Sequence, residues 1–127
     1  MFELTIDNNV YQFTFGMGFV REVNKMYQKP IDGIPGKNEN VGLQMMVAGL
    51  YSRDAEYLVT VLEAANKTHN PRVTRMMLDN YIDEPNTDID ALFDEVMDFL
   101  RTANATKNVV CQLIEAMEEQ KKKAAAN

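Results

Sequence analysis

Cysteine and histidine occur once each in the 127 residues, as Cys111 and His69. One copy of the chain can therefore form neither an internal disulfide nor a zinc site built from several soft ligands. No apolar run approaches the roughly 18 residues that a membrane span needs. Phe2 to Phe15 lacks the basic start and continuous apolar centre of a signal peptide. A cytosolic chain with no membrane partner is the expectation. Basic residues are in deficit, 13 Lys and Arg against 19 Asp and Glu, for a formal net charge of −6. Phosphate neutralisation supplies most non-specific nucleic-acid affinity, so no nucleic-acid partner is expected either. Apolar residues at 46% and charged residues at 25% match an ordinary soluble domain. The length suits a single core.

Residues 2–15 alternate. Phe2, Leu4 and Ile6 share one face of the first run, and Tyr11, Phe13 and Phe15 one face of the second. A turn at Asn8-Asn9 would pair Ile6 with Tyr11, Leu4 with Phe13 and Phe2 with Phe15, placing both apolar sets on one side of an antiparallel hairpin. From Met17 the period becomes helical, predicting a helix over 17–28 that stops before Pro30. Lys29 to Asn40, with Pro30, Gly33, Pro35 and Gly36, reads as one long loop. Val41 to Tyr51 predicts a second helix weakened by Gly42 and Gly49, and Ser52 offers a cap for a third with a narrower apolar face. Asn70-Pro71 marks the start of a fourth, with Val73, Met76, Met77 and Tyr81 inward. Thr87 begins a fifth, the most strongly periodic segment and the expected central core helix. The last helix carries Val109 or Val110, Leu113, Ile114 and Met117. The expected fold is α+β: an N-terminal antiparallel β-hairpin on a mainly α-helical domain of five to six helices, one domain over 1–117. Residues 118–127 form a polar tail with nothing to bury, expected to fray.

No constellation for bond-making chemistry emerges. Asp88-x-Asp90 lacks the third acidic ligand and the glycine of a calcium loop, and Ala91-Leu92-Phe93 continue a helix stripe. His69 has no nucleophile motif beside it and reads as a loop residue, and Cys111 as a small buried hydrophobe. Gly16-x-Gly18 lacks the remaining elements of a phosphate loop. No catalytic residue, cofactor or metal is assigned, and the chain is not expected to be an enzyme. Methionine, at nine copies, is the feature left over. Flexible thioethers fill cores and also suit surfaces that accept varied apolar partners. Met45, Met46, Met76 and Met77 are paired neighbours, so on a helix the two members of each pair point apart. With Leu113 and Met117 they are the candidate partner-binding residues.

The order of features resembles a known family. Leu4-Thr5-Ile6-Asp7 to Tyr11-Gln12-Phe13-Thr14-Phe15-Gly16-Met17-Gly18-Phe19, leading into Val20-Arg21-Glu22-Val23-Asn24, is similar to the opening of the tail assembly chaperones of siphophages and prophages of Gram-positive bacteria. Leu58 to Ala65 resembles that family's middle helix. Val73-Thr74-Arg75, Tyr81-Ile82-Asp83-Glu84 and Ile89 to Val96 resemble its later ones, and Asn104-Ala105-Thr106-Lys107 its polar connector. The resemblance implies a non-enzymatic protein of the host cytoplasm, absent from the mature virion. Such a protein binds the tape measure protein and keeps it soluble while tail tube protein polymerises. It further implies self-association into a homo-oligomer and a longer, frameshifted form of the chain, for which Lys121-Lys122-Lys123, if encoded by an adenine run, would supply the slippery site. A competing reading uses the carboxylates of 79–98, uninterrupted by any basic residue, as an acidic decoy for a basic nucleic-acid-binding surface.

Overall fold

The computed structural model describes residues 2–126. The alternation of the first residues does produce an antiparallel ribbon, β1 (Phe2–Ile6) and β2 (Asn9–Phe13). Its turn is Asp7-Asn8, with φ of 52° and 67°, and the pairs are Ile6 with Asn9, Leu4 with Tyr11 and Phe2 with Phe13. Two successive positive φ values match the right-handed strand twist that a tight hairpin requires, and Asp and Asn tolerate them. The register expected from an Asn8-Asn9 turn is thus displaced by two residues. A slip of two preserves the faces where a slip of one would invert them, so Phe2, Leu4, Ile6, Tyr11 and Phe13 are all buried. The slip frees Phe15 from the ladder.

Next come α1 (Met17–Met26), β3 (Gln28–Pro30), β4 (Asn38–Asn40) and α2 (Gly42–Tyr51). The expected long loop is therefore a second hairpin, in which Gln28 pairs with Asn40 and Pro30 with Asn38. Gly33 and Gly36, at φ of 81° and 78°, supply left-handed positions for the reversal. Both strands are exposed, and a ribbon that buries neither face needs no apolar alternation. Periodicity could not reveal it.

The remaining helices are α3 (Ala55–Asn66), α4 (Arg75–Asp83), α5 (Ile89–Thr102) and α6 (Lys107–Ala126). Asp54, not Ser52, caps α3, its carboxylate accepting from the Glu56 N–H at 3.0 Å; Ser52 closes α2. Thr74, not Asn70-Pro71, caps α4, accepting from the Met77 N–H at 3.1 Å. The buried residue of α4 is Leu78, while Met76 is 72% exposed.

The centre of the molecule is α3 rather than α5. It buries Leu58, Val59, Val61, Leu62, Ala64, Ala65 and Asn66 and packs against β2, α1, α2 and α4. Burial so far around a helix marks it as a core element. The amphipathic α5 packs on α2 and α6, so its strong period reflects a helix with one wet face. Gly49 lies against the ring of Tyr57 on α3, and Gly42 against the Val23 carbonyl of α1. The two glycines that weaken α2 by propensity are where its neighbours come closest. Helix α6 continues through Ala126, with every described residue from 118 onward exposed.

One polar side chain is wholly buried in this core. Asn66, at 0% exposure, donates from Nδ2 to the Gln12 carbonyl at 3.0 Å and the Pro71 carbonyl at 3.2 Å, and accepts from the Val73 N–H at 2.7 Å. One amide thereby satisfies backbone groups of β2 and of the α3–α4 connection. Asn66→Ala is expected to lower unfolding stability by about 2–3 kcal/mol in urea denaturation, since it strands the buried Val73 N–H and removes two further bonds. Gly49→Ala is expected to cost about 1–3 kcal/mol by overpacking against Tyr57.

Candidate partner-binding surface

Three rings close one end of the hairpin. Phe2 lies 5.4 Å from Phe99 of α5 and 6.2 Å from Phe15, and Phe15 lies 6.1 Å from Phe99, centroid to centroid. Phe15 also meets Phe19 of α1 edge-on at 5.3 Å. These separations are those of favourable aromatic pairs. The rings do not fill the space above them. An open groove of about 660 Å³ is bounded by Phe2, Phe13, Phe15, Met17, Phe99 and Ala103, a size typical of binding clefts. Met17, at the first position of α1, is 51% exposed on its rim.

Hydrogen bonds fix the groove's walls. On the hairpin side the Thr14 N–H donates to the Ala65 carbonyl at 2.9 Å, while Thr14 Oγ1 and His69 Nε2 share a hydrogen bond of 2.6 Å. On the opposite side Thr106, 1% exposed, donates from Oγ1 to the Leu100 carbonyl at 2.6 Å. The Ala103 N–H donates to the Phe99 carbonyl at 2.9 Å. These bonds close the end of α5 and set the tight connection into α6. Helix α1 is tied at its middle: Glu22 pairs with Lys67 at 2.9 Å and Lys25 at 3.2 Å. Hydrogen bonds from Lys67 and then Lys25 hold the Glu22 carboxyl below its ordinary range.

The six residues picked from the sequence do not converge. Met46 is fully buried and belongs to the core, Met45 is 37% exposed, and Met76 stands out at 72%. Met77, Leu113 and Met117 are half-buried and lie against the core. Met76 and Met77 ride on α4, which packs on α3, whereas Leu113 and Met117 ride on α6, which packs on α2 and α5. The aromatic groove was missed as a site. Its signal was the stripe Phe13-Phe15-Met17, which overruns the strand and leaves Phe15 and Met17 without ladder partners. Cys111 is exposed, contrary to the buried hydrophobe expected, because it lies beside rather than on the Val110–Ile114 stripe.

Three of the acidic side chains of 79–98 are engaged within the chain. Asp94 is paired with Arg53 at 2.6 Å and Asp98 with Arg101 at 3.8 Å, and the Arg53 guanidinium stacks 5.3 Å over Phe93. Asp88 caps α5 through the Ala91 N–H at 3.1 Å. Nothing in this arrangement favours the decoy reading. Among the described residues no cluster of His, Cys, Asp and Glu could hold a metal ion, and no helix is long and apolar enough to cross a membrane.

A family model described as phage tail assembly chaperone protein, TAC, matches residues 3–115. The chain belongs to that family. No curated protein and no solved structure matches it. The aromatic groove and the hydrogen bonds that shape it therefore belong to a phage tail assembly chaperone, whose work is interaction with tail proteins. Apart from Phe2, the groove's lining residues fall within the matched span.

The Glu22 carboxyl is held low in the folded chain, so it stabilises the fold above the usual carboxylate range and ceases to do so as pH falls through its depressed value. Glu22→Gln is expected to be less stable than the parent by roughly 0.5–1 kcal/mol at pH 7. The difference should vanish on acidification, as read by urea denaturation at a series of pH values.

Proposed function

We propose that this chaperone binds the tape measure protein and keeps it soluble until tail tube protein assembles around it. It acts in the host cytoplasm and is absent from the finished virion. The observation that carries this reading is the open groove lined by Phe15 and Phe99, with Met17 exposed on its rim, on a chain of net charge −6. Apolar surface left open in an acidic, self-repelling chain suits a protein that lends cover to an aggregation-prone helix. A groove of this kind accepts apolar side chains from one face of an amphipathic helix, with anchors at three- and four-residue spacing.

Displacement at the end of assembly requires that each contact be weak. Several copies along a long client reconcile weak single contacts with strong overall retention, since linked sites multiply their effects. The further apolar residues Met45, Met76, Met77, Leu113 and Met117 would serve as supplementary contacts between client and chaperone or between copies in a homo-oligomer. Helix α6 carries the exposed Lys121-Lys122-Lys123 stretch near its end, and a longer frameshifted form would extend from this helix without disturbing the core.

Co-expression with the tape measure protein encoded by the same phage tests the reading. The client is expected in the soluble fraction and in one peak with the chaperone on a sizing column; an insoluble client with no complex would refute it. Met17→Asp should keep the fold, because a carboxylate in the first helical turn is favourable. It is expected to weaken client binding about tenfold, the equivalent of burying roughly half a methionine side chain.

A further inference from the structure

The outer edge of β1 is open. In a hairpin with a two-residue turn the pair flanking the turn exchanges both backbone hydrogen bonds, and alternate pairs repeat the pattern. Ile6–Asn9, Leu4–Tyr11 and Phe2–Phe13 are therefore the bonded pairs, and Glu3 and Thr5 direct their N–H and C=O groups away from β2. The same alternation sends the Gln12 carbonyl and the Thr14 N–H outward from β2. There they are met by Asn66 Nδ2 and by the Ala65 carbonyl. The edge of β2 is thus covered by the end of α3. On β1, among the described residues, no backbone or side-chain partner meets Glu3 or Thr5 outside the ladder.

A groove of about 400 Å³ lies beside this edge, lined by Thr5, Ile6 and Asp7 on the strand side and by Met77, Tyr81 and Glu84 among others on the helix side. From the hairpin the groove takes Thr5, Ile6 and Asp7, and no residue of β2 lines it. A strand edge facing a helix across a groove is the geometry in which an extended peptide adds as a further strand. The groove's ionisable side chains comprise Asp7, Glu84, Asp88 and Tyr81 and include no basic group. Its apolar side chains are those of Ile6, Met77 and Tyr81.

We infer that the edge of β1 is a docking site for an extended segment of another protein in which lysine or arginine alternates with apolar residues. The segment bonds to the outward groups of Glu3 and Thr5. Its lysine or arginine side chains enter the groove, their methylene stems resting on Met77 and Tyr81 and their cations lying near Asp7, Glu84 and Asp88. Open strand edges are hazards that proteins blunt with charge. Here Glu3 leaves the edge soluble yet selects against acidic strands. This site differs in place and chemistry from the aromatic groove and does not depend on the tape measure reading.

The test uses the full chain, isotope-labelled, and a capped hexapeptide of alternating lysine and valine, with no tail protein present. At saturating peptide the Glu3 and Thr5 amides are expected to exchange with deuterium at least ~10-fold more slowly, as their N–H groups enter a ladder. The glutamate-valine counterpart and a lysine-valine peptide N-methylated on alternate amides should leave both amides unchanged. Asp7→Asn combined with Glu84→Gln should weaken the lysine peptide roughly threefold, as expected for two exposed charge contacts. Thr5→Pro, which removes one outward N–H, should abolish protection at Glu3. If that variant does not fold, the N-methylated peptide decides the same point. Unprotected Glu3 and Thr5 amides, or equal protection by the acidic or N-methylated peptide, would overturn the inference.

Discussion

The carboxamide of Asn66 is the constraint on which the rest of the structure depends. It sits at the end of the most buried helix, where α3 meets β2 and the chain turns towards α4. It bonds three backbone groups from two segments, of which the Val73 N–H is buried and would otherwise be left without a partner. Burying a polar group is tolerable only when its bonds are made, and an amide is well suited because it offers donors and an acceptor at one site. By fixing the Gln12 carbonyl it sets where β2 lies on α3. Thr14 and Phe15 then leave the strand at a defined place beside α5.

From that placement the aromatic groove follows. A two-stranded ribbon is marginal alone, and here one face is stabilised by helices while its final aromatic residue, past the last ladder pair, reaches across to Phe99. Phe2 meets Phe15 and Phe99 edge to face, while Phe15 and Phe99 are tilted at 40° to one another, and a hollow is left beside the rings. On the proposed function the apolar surface must be held open, because collapse onto itself would hide what the client must find. The surrounding hydrogen bonds, from Thr14 to Ala65 and His69 and from Thr106 to Leu100, resist that collapse.

Much of the fold was legible in the sequence where burial imposes a period. The alternation of Phe2, Leu4 and Ile6 gave the hairpin and its buried face, and the stripe through Leu92, Val96 and Leu100 gave α5. The register was not legible, since the Asp7-Asn8 and Asn8-Asn9 turns satisfy the same face pattern and only backbone conformation separates them. The β3–β4 arm escaped because it buries nothing. The centrality of α3 escaped because alanines and an asparagine lie among its buried residues, which dilutes an apolar stripe. The site was the least legible part. Methionine content pointed to Met45, Met46, Met76, Met77, Leu113 and Met117, yet exposure depends on which face of each helix meets a neighbour, and one of these is wholly buried. The aromatic residues that line the groove read from sequence as ordinary core.

In the proposed mechanism this chaperone works by offering a preformed apolar groove from a frame that stays intact. Hydrogen–deuterium exchange on the chain alone and in complex with the full-length tape measure protein tests it most directly. Protection is predicted to rise at the amides of Phe15 to Met17 and Ala103 to Ala105, with those of α3 unchanged. Protection confined to the acidic face of α4 and α5, or loss of protection within α3 on binding, would contradict it.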